Sequence, residues 1–326
     1  MNFKGLMDGR RVLVTGGAGF IGSHLVDALM INGATVRVID NLSSGTLDNI
    51  RRWLGNPSFE FIKGDLLNKS DLKKATEECE VIFHLAANPE VRLGSSAPEI
   101  HFEQNVVATY HLLESLKSSE GLDLFVFTSS STVYGDASEI PTPEDYGPLK
   151  PISIYGASKL ASEALISSFA CTYGFQAVIC RLANIIGPRS RHGVIYDFIN
   201  KLKRNPRELE ILGDGTQRKS YLYVDDFVSA LSTIIEKPRK KVEIFNIGSE
   251  DCVNVKTIAE IVTEEMGLKD VTFHFTGGID GGRGWKGDVK YMLLSIERLK
   301  SLGWKPKLNS VEAVKRTVRN LLRKET

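Results

Sequence analysis

Tyr155 and Lys159 stand four residues apart in Tyr155-Gly156-Ala157-Ser158-Lys159, the spacing that brings two side chains onto one face of a helix. A free phenol, with a pKa near ~10, is too high to act as a base at neutral pH. A neighbouring ammonium favours the phenolate and moves it toward the working range. The pair therefore reads as a base for hydroxyl protons and its partner. Tyr and Lys at this spacing also occur by chance on surface helices, so the pair needs support elsewhere. It has two such neighbours: a hydroxyl-rich run ending an apolar segment, Ser129-Ser130-Ser131-Thr132-Val133-Tyr134-Gly135, and a glycine loop near the start of the chain.

That loop is Thr15-Gly16-Gly17-Ala18-Gly19-Phe20-Ile21-Gly22-Ser23-His24. Glycines at 16, 19 and 22 allow a tight turn, a close backbone approach to a pyrophosphate and close helix–strand packing. The helix they open would point unpaired N–H groups and a positive dipole end at the phosphates. The next apolar run ends in Asp40, at the distance expected for an acid that accepts hydrogen bonds from an adenosine ribose. A carboxylate there repels a 2′-phosphate, so the expected cofactor is NAD rather than NADP. Its positively charged nicotinamide would act with Lys159 on the phenol. Asn41 either assists Asp40 or caps a turn; Asp65 either bonds the adenine amino group or caps the following helix.

The elements that must position these groups are visible as a rhythm. Short apolar runs at Val12–Val14, Thr35–Ile39, Phe59–Ile62, Val81–Leu85, Leu124–Phe127 and Ala177–Cys180 alternate with helical patterns such as Ser23–Ile31 and Ser158–Phe169. The runs show little internal alternation, as strands of a parallel sheet covered on both faces do. The expected fold class is α/β, a Rossmann-type doubly wound parallel sheet with a smaller mixed α/β substrate-binding region. Past Asn184 the rhythm breaks into a helix-like stretch, Val194–Arg204, a short strand-like Glu210–Leu212 and a return to sheet pattern at Val242–Ile247. Lys237–Lys241 reads as a solvated turn.

Composition narrows the classes. In 326 residues, 41 Lys and Arg nearly cancel 40 Asp and Glu, leaving a formal charge of +1. That balance argues against a nucleic-acid or anionic-membrane binder and leaves room for a small anion held by a few cations. Hydrophobic residues make up 42%, enough for a sizeable core. Cys79, Cys171, Cys180 and Cys252 form no Cys-x-x-Cys, and no apolar run approaches a membrane span, so a soluble protein of a reducing, cytoplasmic compartment is expected. His24, His84, His101, His111 and His274 show no metal-ligand spacing, and no metal is expected.

Taken together, the motifs resemble the extended short-chain dehydrogenases/reductases of the NAD-dependent nucleotide-sugar epimerase/dehydratase family over nearly the whole chain. The landmarks are the glycine loop, His84-Leu85-Ala86-Ala87, Asn105, the Ser/Tyr/Lys set, Arg181-Leu182-Ala183-Asn184, Gly187-Pro188-Arg189, Gly213-Asp214-Gly215 through Arg218, Tyr223-Val224-Asp225-Asp226 and Asn246-Ile247-Gly248-Ser249. The resemblance implies catalysis by Ser130, Tyr155 and Lys159. It implies NAD contacts from Gly16, Gly19, Phe20, Ile21, Gly22, Asp40, Asn41 and Asp65, and from Leu66, Leu85, Ala86, Ala87, Asn105, Ser129, Tyr155 and Lys159. The nucleotide sugar is expected at Ser130, Ser131, Tyr155, Asn184, Arg218, Arg283 and Asp288, with the two arginines on the diphosphate.

Family 4,6-dehydratases carry Asp-Glu after the serine at position 130; here Ser131-Thr132 stand there, so water loss is disfavoured and the pattern resembles UDP-galactose (UDP-glucose) 4-epimerases. In the mechanism this implies, Tyr155 takes the C4 hydroxyl proton while C4 gives hydride to NAD. The keto sugar then turns over, and hydride returns to its other face. A UDP-glucuronate 4-epimerase, a decarboxylase, a reductase or a catalytically idle NAD-binding scaffold are the alternatives. Family Arg-Pro-Gly-Asp is stretched here to Arg283-Gly284-Trp285-Lys286-Gly287-Asp288. The position that limits sugar size falls near Met292, either gatekeeper or core, and Arg191-His192 either face the sugar C6 or form a solvated loop. The expected regions are 1–183 with 219–249 for NAD and 184–218 with 250–326 for the nucleotide sugar. The partner is a UDP-hexose substrate, and a homodimer through the Asn105–Leu116 and Ser158–Phe169 helices is expected.

Overall fold

A computed structural model of the chain describes residues 3, 5–117, 121–237 and 240–323; positions 238 and 239 of the Lys237–Lys241 turn lie outside them. Six strands, β1 (Arg11–Thr15), β2 (Thr35–Asp40), β3 (Phe59–Lys63), β4 (Val81–His84), β5 (Leu124–Ser130) and β6 (Gln176–Leu182), join Val242–Ile247 in one seven-stranded sheet. Its order is Val242–Ile247, β6, β5, β4, β1, β2, β3, and all six pairings are parallel. The chain builds outward from β1 in one direction and then from β4 in the other. A crevice therefore opens between β1 and β4 at the carboxyl ends of the strands.

The near-continuous apolar runs have a direct cause. Successive side chains point to opposite faces, and each face meets its own core. Val12, Val14, Val36, Val38, Val81, Phe83, Val126 and Val178 belong to one cluster. Their neighbours Leu13, Ile39, Ile82, Phe125, Phe127 and Ile179 belong to the other. Truncating Phe83 or Phe125, both fully buried, to Ala should cost about 3–5 kcal/mol.

Helix α1 begins at Phe20 and runs to Ile31, three residues before its apolar pattern starts, because Gly19 serves as its N-cap. The helix Ile154–Tyr173 also extends beyond its expected ends. Ser153 Oγ accepts from Gly156 N at 3.0 Å, and Gly174, at φ +93°, closes it in the left-handed region. Tyr155 thus sits in the first turn, at the mouth of the crevice.

The remaining elements form small sheets. Asn184–Ile186 pairs with Tyr221–Tyr223, and Glu208–Ile211 with Thr272–Phe275. Arg218–Lys219 lies between Val253–Asn254 and Tyr291–Met292. A third core joins the helices Val194–Arg204, Val255–Glu265 and Ser310–Arg323 through Phe198, Leu202, Ile258, Val262 and Val314. A smaller cluster of Val133, Tyr134, Ala183, Val289, Met292 and Leu294 joins the segment after β5 to the second half of the chain. Among the described residues no helix is long and apolar enough to cross a membrane.

Candidate active site

A cleft of about 510 Å³ runs along the carboxyl ends of the strands. At one end lies the glycine loop. Gly16 has φ +70°, and a Cβ there would stand 2.8 Å from the Ala86 nitrogen; one on Gly22 would stand 2.2 Å from the Gly16 carbonyl oxygen. Backbone therefore fills the space a side chain would need, and the loop can press against a ligand. Asp40 is buried. Its Oδ2 accepts from Ala18 N at 3.0 Å and its Oδ1 from Leu42 N at 2.8 Å. Burial raises its carboxyl pKa, and these hydrogen bonds pull it back. Asp65 does two jobs: it lines the cleft, and its Oδ1 accepts from Leu67 N at 2.9 Å while its Oδ2 accepts from Asn41 Nδ2 at 3.0 Å.

Phe20, Ile21, Leu66, Leu85, Ala86, Ala87 and Ser129 also line the cleft. Asn105 does not: it stands behind the wall. Its Oδ1 accepts from Asn88 N at 2.8 Å and its Nδ2 donates to Ser158 Oγ at 2.9 Å, so it braces the loop after β4 against the Tyr155 helix. It lies in a π-helical stretch, Phe102–Val107; the wider turn shifts the facing of side chains, and Gln104 reaches the wall instead.

At the centre are Ser130, Tyr155 and Lys159. Ser130 ends β5, where its Oγ accepts from Thr132 N at 3.2 Å and Thr132 Oγ1 at 2.9 Å. Lys159 is buried; its Nζ donates to the Thr128 carbonyl at 3.0 Å and lies 4.8 Å from the Phe127 ring centre and 5.8 Å from that of Tyr155. Desolvation pushes the Tyr155 phenol up to about 12, opposed by its hydrogen bond to Ser130. Desolvation pushes Lys159 down to about 7, opposed by Glu163. The phenolate-favouring effect expected from the lysine is thus outweighed by burial in the chain by itself. Both shifts disfavour charge, so further positive charge in the cleft is what would bring the phenol into range.

At the far end the two expected arginine anchors stand off the cleft wall. Arg218 is exposed, 6.0 Å from the Tyr291 ring centre, and off the wall; Lys219 is on it. Adjacent residues of a strand face opposite ways, so a one-residue difference in register exchanges wall for surface. Arg283 is off the wall too. Its guanidinium forks onto Asp136 at 3.0 and 2.9 Å and also donates to the Asp288 carbonyl. Counted back from Asp288, the arginine of Arg-Pro-Gly-Asp falls on Trp285, which does line the cleft.

Asp288, 2% exposed, accepts from Lys219 Nζ at 2.5 Å and Gly284 N at 3.1 Å; the same ammonium lies 5.2 Å from the Trp285 ring centre. Two buried polar atoms on this wall, Trp285 Nε1 and Gln217 Oε1, have no hydrogen-bond partner among the described residues. They are what a polar ligand would satisfy. Lys219, Trp285 and Gln217 went unread in the sequence; strand alternation and the count from Asp288 were the available signals.

Asn184, Ser131 and Thr132 line the cleft, with Asn184 Nδ2 donating to the Ser220 carbonyl at 3.1 Å. Met292 belongs both to the wall and to the small core. His192 lines the wall; Arg191 is exposed and does not. His84 is structural. Its ring bridges Thr15 Oγ1 at 2.8 Å and Thr109 Oγ1 at 2.9 Å, and burial pushes it down to about 3. No group of three or more metal-ligating side chains occurs among the described residues.

Comparison with known proteins agrees with this geometry. The model of the NAD dependent epimerase/dehydratase family matches residues 12–248. The chain is 33% identical over 316 residues to the UDP-glucose 4-epimerase of Mycolicibacterium smegmatis, covering 94% of this chain and 97% of that one. A solved UDP-galactose 4-epimerase superposes with a TM-score of 0.85 at 47% identity, covering 97% of this chain and 99% of the other. UDP-glucuronic acid 4-epimerase from Bacillus cereus, solved with UDP-glucuronic acid and NAD, gives 0.86 at 29% identity over 96% and 99%. The glycine cradle, the acid at the end of β2 and the buried lysine fit a dinucleotide, and the cofactor is NAD. A strand-end serine beside a Tyr/Lys pair on such a cradle is the equipment of nucleotide-sugar chemistry, and this chain belongs to the NAD-dependent epimerase/dehydratase family.

Proposed function

We propose that this protein is a UDP-hexose 4-epimerase acting on UDP-glucose and UDP-galactose, with the N-acetylhexosamines as further candidates. The observation that carries this reading is the pairing of Ser130 and Tyr155 in the cleft with hydroxyl residues, Ser131 and Thr132, where carboxylates for water elimination would stand. Bound NAD supplies a hydride acceptor that can return what it takes. The chain's own residues handle the proton. Tyr155 receives it from the sugar C4 hydroxyl, Ser130 holds the same oxygen, and Lys159 provides the positive charge beside the phenolate. For a nucleotide diphosphate the wall offers Lys219, Asn184, the Trp285 indole N–H and Gln217, with Asp288 holding the Lys219 ammonium in place.

A neutral hexose is favoured over a uronate by one contact. Arg92 on the cleft wall is forked by Glu90 at 2.8 and 2.9 Å, so its charge is matched before any sugar carboxylate arrives. Met292, unbranched and adaptable, leaves room for an acetamido group. The reading includes the division into 1–183 with 219–249 for NAD and 184–218 with 250–326 for substrate. It also includes work in the cytoplasm as a homodimer. Support for the dimer comes from Tyr110, Phe169 and Tyr173, whose rings touch at 6.3 and 5.2 Å on the two expected helices, with Tyr110 and Tyr173 exposed. Sedimentation as a monomer at micromolar concentration would remove that part. The function is tested by following UDP-glucose, UDP-N-acetylglucosamine and UDP-glucuronate separately by NMR with the purified protein. Conversion of UDP-glucose to UDP-galactose is expected; conversion of UDP-glucuronate alone would reassign the substrate.

A further inference from the structure

An ion pair that none of the steps above uses lies beneath the catalytic residues. Glu163 follows Lys159 by four residues on the same helix, hence on the same face, and is 4% exposed; Arg181 on β6 is 3% exposed. Arg181 Nη2 donates to Glu163 Oε2 at 2.8 Å, and its Nε lies 3.1 and 3.2 Å from the two carboxylate oxygens. Ser129, one residue before Ser130, donates its hydroxyl to Glu163 Oε1. Pairing of Ser129 with Arg181 across β5 and β6 brings the three together. Arg181 Nη1 is engaged by the Tyr134 hydroxyl and the Glu144 carbonyl, both at 3.0 Å.

Stability is a poor reason for such a pair. Desolvating two charges roughly offsets their attraction, and matched apolar residues often serve as well or better. What the pair does supply is a carboxylate one turn from an ammonium that has lost its water. Burial drives Lys159 down, and Glu163 is the charge that opposes it. The other groups around Lys159 are Tyr155, the Phe127 ring and the Thr128 carbonyl, with His84 and His101, whose imidazoles burial keeps neutral. None of these brings a negative charge at neutral pH.

We propose that Glu163 is a positioning residue: pinned by Arg181 and Ser129, its buried carboxylate keeps the Lys159 ammonium charged at the working pH. The proposal rests on reading Tyr155 and Lys159 as the proton-transfer pair. Removing the carboxylate lets Lys159 lose its proton at lower pH, and the phenolate then loses its counter-charge. The alkaline limb of the turnover profile should move with it.

The test titrates Lys159 directly in the full chain carrying 13Cε-labelled lysine, with Lys159→Met assigning its resonance. In Glu163→Gln the Lys159 midpoint should fall by about one pH unit, a tenfold change in its protonation ratio. Turnover should fall about tenfold on the alkaline side and recover toward acid. Because Glu163→Gln leaves Arg181 buried and unmatched, the double variant Glu163→Leu with Arg181→Leu serves as a second arm. It leaves no orphaned charge and should lower the midpoint as well. An unchanged or raised midpoint in whichever of these variants folds overturns the proposal. The titration needs no sugar, so a wild type inert toward every UDP-sugar would overturn the epimerase reading alone.

Discussion

At the cofactor end of the cleft, backbone shapes the site; at the opposite end, side chains from several distant segments do. The glycine loop is one continuous stretch in which the Ala86 backbone fills the side-chain space at Gly16 and the Gly16 carbonyl fills that at Gly22, and Asp40 caps it through Ala18 N. The far wall draws Asn184, Gln217, Lys219, Trp285 and Asp288 from short strands and loops, held by Lys219–Asp288 and Arg283–Asp136 ion pairs. A backbone site tolerates few changes because a Cβ at Gly16 or Gly22 would collide with backbone. A side-chain site can change which residue faces the cleft while the fold stays: Lys219 and Trp285 line the wall, and the expected anchors Arg218 and Arg283 stand off it.

The largest effect is expected where the two ends meet. Tyr155→Phe should lower turnover about 10²- to 10⁴-fold, the range of a proton-transfer group, with unchanged circular dichroism; near-normal turnover would remove Tyr155 from the chemistry. Gly22→Ala sharpens the cofactor side. Its Cβ would meet the Gly16 carbonyl at 2.2 Å, and an overpacking penalty of about 1–3 kcal/mol should weaken NAD binding about tenfold to a hundredfold by calorimetry. Wild-type affinity would mean that the loop yields easily.

Acid should loosen the same end through His84. Its folded-state pKa is depressed to about 3, so between its ordinary value near ~6.5 and that point the unfolded chain binds the extra proton. Stability attributable to His84 is present above about 6.5 and declines as pH falls, by up to about 1.4 kcal/mol per pH unit. Thermal melts of the wild type and His84→Gln across this window should show a shallower slope in the variant; the slope that remains belongs to the other histidines that desolvation pushes down, His24, His101 and His192. The smallest effects test the far wall. Lys219→Ala should raise KM about tenfold, the worth of one charge-assisted contact, with kcat within about twofold. Arg218→Ala should leave both within about twofold. The reverse order would restore Arg218 as the anchor and undo the comparison.

Legibility in the sequence follows this division. The sheet was readable because both its faces are covered, so every strand is an apolar run. Helix starts were readable only to within a few residues, since Gly19 and Ser153 cap helices whose apolar patterns begin later. The Tyr155/Lys159 pair was readable because helical geometry makes residues four apart neighbours in any context. The place of Asn105 behind the wall is not legible because a π-helical turn shifts its facing, and that of Arg218 is not because a two-residue strand is too short for alternation to reveal its inner face.

By itself the sequence determined what local geometry controls: the glycine turn, the acid at the end of the second strand, the spacing of phenol and ammonium, and the α/β order. These depend on residues close along the chain, whose relative placement follows from backbone dihedrals. The tertiary structure alone decided which cations line the far wall, that Glu163 and Arg181 meet beneath Lys159, and that burial outweighs pairing at Tyr155 and Lys159. Those outcomes depend on distances between remote segments and on how much water remains around a charge, and no spacing along the chain encodes either.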